Sequence, residues 1–202
     1  MTTPRKDNQR RKFERPLGER RYRKLFIIAA EGTKTEPQYF ALLNNFNAVI
    51  KVSCLKSRND SAPLQVLARM KKHLKEKGFT QSDEAWLVID KDQWTDNQLQ
   101  LLLNWSQQED NYGFALSNPK FEYWLLLHFE NNPGITGPQD CSKRLNQHCP
   151  GYDKSIRGSL FSPNRINDAI QRAKQKDTPP CDDWPKTFGS TVYRLVEKIR
   201  TA

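Results

Sequence analysis

The sequence predicts an α/β domain: a parallel sheet with helices on both faces, followed by a helical C-terminal region. Three observations point there. Short apolar runs alternate with amphipathic helical stretches, each connection is long enough to reverse the chain direction, and carboxylates terminate two of the apolar runs. A chain of 202 residues fits one such domain, divided here into a basic arm (1–23), an α/β core (24–134) and a helical region packed on it (135–202).

Lys24 to Ala30 reads as the first strand, because Leu25, Phe26, Ile27 and Ile28 form the continuous run expected where both sheet faces are covered. It stops at Glu31-Gly32. Thr35 is placed to cap the next helix with Gln38 as its capping-box partner, Pro37 lies in the first turn, and Tyr39, Phe40, Leu43 and Phe46 form a helical stripe. A more alternating strand follows over Val49 to Leu55. The second helix runs from Ser61 as N-cap through Pro63, Leu64, Leu67, Met70 and Leu74, and Gly78 stops it.

Ala85 to Ile89 is a short buried strand that leads straight into Asp90-Lys91-Asp92, and Thr95 opens a helix carrying Leu99, Leu102 and Leu103. Tyr112 to Leu116 reads as a fourth strand. Asn118 as cap and Pro119 as first residue would then start a helix reaching about Glu130. Past Gly134 the pattern changes to helices near Ser142 to His148, Pro163 to Lys176 and Ser190 to Arg200, with no further strand core and with Trp184 pinning a Pro-rich loop.

The composition narrows the function. The formal charge is +10, and residues 1 to 24 hold ten Lys/Arg against three acids. Such an arm cannot bury enough surface to fold alone; it suits either contact with phosphates, through Arg20, Arg21 and Arg23, or a solubilising tail. The mean hydropathy is −0.84, no apolar stretch is long enough for a membrane span, and no apolar signal core follows the N-terminal charges, so a cytoplasmic protein is expected. Cys54, Cys141, Cys149 and Cys181 lack paired spacing and read as reduced thiols, with a zinc site at His148, Cys141, Cys149 and Cys181 as the alternative.

Glu31 and the pair Asp90, Asp92 end two strands about sixty residues apart, which brings them to one edge of a parallel sheet, where ligands of such sheets gather. Carboxylates crowded there repel, and a hard dication with retained waters relieves that repulsion. Asp-x-Asp alone reads more readily as a strand end before a capping turn than as a metal site; the upstream Glu-Gly reverses that balance toward metal. In an extended segment Asp90 and Asp92 would point the same way. Gly32-Thr33-Lys34-Thr35 lacks the first glycine of a P-loop, since position 27 is Ile, yet Lys34 and Lys120 are candidate phosphate contacts. Glu122 is a candidate further carboxylate of the site or a helix-dipole residue, Glu36 reads as a dipole residue, His128 as packed, and Trp94 as a base-stacking or core side chain.

Three segments together are similar to the RloB-like family, related to the second component of the AbiL abortive-infection system: Phe26 to Phe40 with Ala30-Glu31-Gly32-Thr33-Lys34-Thr35-Glu36 at its centre, Val88-Ile89-Asp90-Lys91-Asp92, and Ser117-Asn118-Pro119-Lys120-Phe121-Glu122-Tyr123-Trp124. The resemblance implies a Toprim-like fold, Mg²⁺ (or Mn²⁺) on Glu31, Asp90 and Asp92, and a role in phage defence beside an ATPase partner. The expectation is a metal-dependent nuclease acting on RNA or DNA. A noncatalytic nucleic-acid or nucleotide sensor in such a complex is the alternative, and a nucleotidyl transferase ranks third. Self-association is left open.

Overall fold

The computed structural model describes residues 24–44, 49–56, 62–92, 94–131 and 134–202. The basic arm with Arg20, Arg21 and Arg23 lies outside the described residues, as do Phe46 and the expected cap Ser61.

Strands β1 (Lys24–Ala30), β2 (Ile50–Cys54), β3 (Glu84–Asp90) and β4 (Tyr112–Asn118) alternate with helices α1 (Thr35–Leu43), α2 (Pro63–Glu76) and α3 (Asp96–Ser106). After β4 come α4 (Phe121–Leu126), α5 (Pro138–His148), α6 (Pro163–Lys176), the two-residue strand β5 (Gly189–Ser190) and α7 (Val192–Thr201). The sheet order is β2-β1-β3-β4-β5. The first four strands are parallel, and β5 runs antiparallel to β4 through Ser117 opposite Ser190.

Alternation of side chains along each strand divides the core in two. Phe26, Ile28, Ala30, Trp86, Val88 and Ala115 face α1 and α4 to α7, whereas Ile27, Ala29, Leu87, Ile89, Phe114 and Leu116 face α2, α3 and Trp184. Every one of these residues is buried, and each large aliphatic or aromatic among them contributes about 1.5–3 kcal/mol by leaving water. The unbroken apolar runs are therefore what a sheet covered on both faces requires. Gly113 has its own packing reason, since a Cβ there would collide with the Trp86 indole.

The connections make β1 and β3 the point where the sheet changes direction. From β1 the chain crosses through α1 on one face to β2, and from β3 it crosses through α3 on the opposite face to β4. A crevice opens between the C-terminal ends of two such strands. Glu31 and Asp90 stand at those ends.

Four expectations need correction. The capping box forms at Thr95 and Gln98, at the start of α3, and not at Thr35 and Gln38, because both of those side chains are taken up by a distant segment: Thr35 by Tyr152 and Lys154, Gln38 by Ile156. β4 continues to Asn118, whose side chain donates to the Pro185 carbonyl at 2.9 Å, so α4 begins at Phe121 and is only six residues long. The last third does add a strand: Ser117 and Ser190 hydroxyls meet at 2.9 Å, and the Leu116 amide donates to the Thr191 hydroxyl. Of the helices of that region, α6 spans Pro163–Lys176 as expected, whereas the other two start at Pro138 instead of near Ser142 and at Val192 instead of Ser190; all three share one core with α1 and α4.

Candidate active site

A cavity of about 400 Å³ occupies the crevice. Glu31 enters it from the end of β1, Asp90 from the end of β3, Glu36 from the first turn of α1 and Glu122 from the first turn of α4; Lys34 and Lys154 complete its charged lining. The β1–β3 register sets the first two side by side: Ala30 pairs with Val88, the Glu31 amide donates to the Val88 carbonyl at 3.0 Å, and the Asp90 amide donates to the Glu31 carboxylate at 3.2 Å.

Trp94 fixes the Glu31 carboxylate from the other side. Its indole N–H donates to Oε2 at 3.1 Å and to Oε1 at 3.3 Å, a role that neither base stacking nor core packing anticipated. Burial pushes the Glu31 carboxyl up to about 7, against the lowering effect of the Trp94 and Asp90 hydrogen bonds. Burial raises Asp90 well above the usual carboxylate range, reinforced by the charges of Glu36, Glu31 and Glu122.

Glu36 belongs to this site, which a reading as a dipole-complementing residue missed. It is only 5% exposed, accepts from the Gly32 amide at 2.9 Å, and is raised chiefly by burial and then by Glu122. Gly32 is the local signal that could have revealed it: a Cβ at that position would strike the Glu36 carboxylate. The Gly-x-x-x-Glu spacing thus folds the acid back over the strand end.

Glu122 is 2% exposed and accepts from Lys154 Nζ and from the Tyr152 hydroxyl. Burial pushes this carboxyl up, but the Lys154 hydrogen bond and charge, together with the Lys120 charge, outweigh it and hold Glu122 below its ordinary value. Among the described residues, no Lys or Arg ion pair reaches Glu31, Asp90 or Glu36. The four acids are therefore of two kinds: one neutralised by the protein, three without a cationic partner in an ion pair.

Asp92 is exposed and does not line the cavity. The extended conformation ends at Asp90; Asp92 sits in a turn at φ +25° with its amide donating to the Pro119 carbonyl, so strand alternation does not aim it alongside Asp90. Its charge still acts on Glu31. Lys34 is exposed at the rim, while Lys120 lies outside the lining and donates to Ser142 Oγ at 2.8 Å. His128 is packed: Nε2 meets the Tyr39 hydroxyl at 3.0 Å, and Nδ1 meets the Trp124 carbonyl at 3.0 Å.

Among the described residues no group of three His, Cys, Asp or Glu side chains has the geometry of a preformed metal shell. The zinc alternative finds no such group either, since His148 stacks on Phe129 and bonds Glu130, and all four cysteines are free. Mg²⁺ asks for less, because it is commonly held by one or two carboxylates while keeping several waters. Glu31 and Asp90, adjacent and without an ion-pair partner among the described residues, fit that demand chemically.

No helix among the described residues is long and apolar enough to cross a membrane. Comparisons with curated proteins and with solved structures give no match. The model of the RloB-like protein family matches residues 26–199, which run from within β1 to within α7 and include all four acids of the cavity, and the chain belongs to the RloB-like protein family.

Proposed function

We propose that the chain is a divalent-metal-dependent phosphodiesterase that cleaves RNA or DNA. One observation carries this reading: Glu31 and Asp90 meet at the direction-changing point of the sheet, in an open cavity, with no cation among the described residues paired to either. A cation from solution is the natural partner for such a pair. The resemblance to Toprim-like enzymes, and with it a place in phage defence beside an ATPase partner, supports the same reading from the sequence motifs.

When bound, Mg²⁺ or Mn²⁺ supplies a water of lowered pKa and neutralises charge on a phosphate oxygen. The chain's own residues do the rest. Asp90 and Glu31 would hold the ion, and the charge of Asp92 acts on Glu31 from outside the cavity lining. Trp94 and the Asp90 amide fix the Glu31 carboxylate in place. Glu36, its carboxyl raised chiefly by burial, is placed in the cavity to accept or return a proton. Lys34, exposed at the mouth, meets the incoming phosphate backbone.

Purified protein incubated with end-labelled RNA and DNA oligonucleotides tests the proposal. Cleavage should require Mg²⁺ or Mn²⁺, stop with EDTA, and fall at least a hundredfold in Asp90→Asn. Undiminished cleavage by that variant would remove the site. The second reading, a noncatalytic sensor, is favoured by the Lys154–Glu122 ion pair, which already neutralises one acid of the cluster; it predicts salt-sensitive binding of nucleic acid that is indifferent to metal.

A further inference from the structure

We propose that Lys154 is a phosphate contact of this cavity, delivered to it by a strap from the C-terminal region, and that Glu122 is the anchor of that lysine and no metal ligand. The inference rests on the phosphodiesterase reading above.

The strap is the segment from Tyr152 to Gly158. It crosses α1 and α4, the two helices whose first turns supply Glu36 and Glu122. Four polar contacts hold it there: the Tyr152 hydroxyl lies 3.1 Å from Glu122 Oε1 and 3.1 Å from Thr35 Oγ1, Thr35 Oγ1 lies 3.0 Å from the Lys154 carbonyl, and the Ile156 amide donates to Gln38 Oε1 at 2.8 Å, with the two hydroxyl protons serving two of the first three. Gly158 packs so closely on α1 that a Cβ would meet Leu42 at 2.7 Å. These contacts divert Thr35 and Gln38 from capping α1.

The lysine at the centre of the strap is held in an unusual way. Lys154 has φ +76°, a left-handed backbone that side chain-bearing residues rarely adopt. Strain of this kind persists where surrounding contacts over-determine it, and it concentrates at functional sites. Its ammonium group bonds the buried Glu122, yet the side chain is 56% exposed and lines the same cavity as Glu31 and Asp90. As an ion pair it offsets the burial of Glu122, which a buried carboxylate requires. As a device for holding one positive charge at the mouth of an acidic cavity, it is well built: Glu122 and Tyr152 fix the position, and the exposed head remains open to a phosphate oxygen.

The two roles make separable predictions. Glu122 directs Oε1 to both Lys154 and Tyr152, so it serves the lysine; Glu31 and Asp90 would serve the ion. Lys154 would then supply a positive charge that an approaching polyanion needs to enter a cavity lined by four carboxylates.

The test uses the full chain and two probes, Mn²⁺ alone followed by electron paramagnetic resonance, and a fluorescein-labelled twelve-nucleotide RNA followed by anisotropy and cleavage. Lys154→Met should weaken RNA binding or raise KM at least tenfold and reduce the slope of log affinity against log salt by about one contact's worth. Its Mn²⁺ affinity should stay within threefold of the parent. Lys154→Arg should recover most of the binding, and Glu122→Gln should reproduce Lys154→Met while still binding Mn²⁺. Unchanged RNA affinity and salt slope in Lys154→Met, with cleavage intact in the parent and lost in Asp90→Asn, would overturn this inference and leave the phosphodiesterase reading standing. Loss of Mn²⁺ in Glu122→Gln equal to that in Asp90→Asn would also overturn it, since Glu122 would then be a ligand. A parent protein that neither binds Mn²⁺ nor cuts would overturn both. Circular dichroism of each variant separates these outcomes from misfolding, and a folded Lys154→Arg keeps the test decisive if Lys154→Met does not fold.

Discussion

The Trp94 indole donates to both oxygens of the Glu31 carboxylate, at 3.1 and 3.3 Å, and so clamps an acid on β1 from the loop that follows β3. That hydrogen bond favours the ionised form and works against burial, which holds the carboxyl at about 7. Trp94→Phe removes the donor and keeps most of the ring. Glu31 should then ionise later, so the acid limb of the metal-dependent cleavage profile should move up by roughly one pH unit, equivalent to about 1.4 kcal/mol. A pH profile of kcat/KM for the two proteins checks it; an unmoved limb would mean that Glu31 does not titrate in catalysis.

The raised Glu31 carboxyl also has a stability signature. Its folded value of about 7 lies above the ordinary 4.5, so the folded protein binds more protons than the unfolded chain between those values, and its stability falls as pH rises through that window. In EDTA at pH 8, Glu31→Gln should therefore be more stable than the parent by about 2 kcal/mol, allowing for solvent screening of a partly exposed group. Denaturant unfolding at pH 5 and pH 8 measures this: the two proteins should converge at the lower pH. Saturating Mg²⁺ should raise the Tm of the parent and leave that of the variant nearly unchanged.

Gly32→Ala is expected to be more harmful than its size suggests. The new methyl group would collide with the Glu36 carboxylate that now accepts from the Gly32 amide. Forcing Glu36 aside should cost about 1–3 kcal/mol of stability and lower cleavage at least tenfold with an intact circular dichroism spectrum. Glu36→Gln keeps the shape and removes the charge, so it distinguishes a steric from a protonic role.

Much of this arrangement was legible in the residues. The strands were readable because unbroken runs such as Phe26 to Ala30 and Trp86 to Ile89 are what a doubly covered sheet selects, and Glu31 and Asp90 were readable because each directly follows such a run. Asp92 was placed less well, since its turn depends on the Pro119 carbonyl, a contact from another part of the chain. Glu36 looked like an ordinary first-turn acid until the missing Gly32 side chain was seen to make room for it. Lys154 could not be read at all: the strap that carries it is fixed by Thr35 and Gln38 from well over one hundred residues away, and no local periodicity records such contacts. The same pairing explains why a good capping-box pattern at Thr35 went unused.

His128 gives a prediction of opposite sign. Burial holds its imidazole neutral, down at about 3, and it is 1% exposed between the Tyr39 hydroxyl and the Trp124 carbonyl. The unfolded chain protonates near 6.5, so this group's contribution is present above that pH and is lost as pH falls toward 3. His128→Leu should cost about 1–3 kcal/mol at pH 7, because it leaves the buried Tyr39 hydroxyl without its partner. The gap between variant and parent should narrow as the solution is acidified; urea unfolding at pH 7 and pH 4.5 measures it.

The most direct measurement is an anomalous difference map from crystals of the protein soaked in Mn²⁺. A single strong peak in the cavity, within bonding distance of both the Glu31 and Asp90 carboxylates and separate from the Lys154–Glu122 pair, is the predicted result. A cavity without a peak at saturating Mn²⁺, or with Lys154 Nζ moved between Glu31 and Asp90 in place of the ion, would contradict a metal-dependent phosphodiesterase.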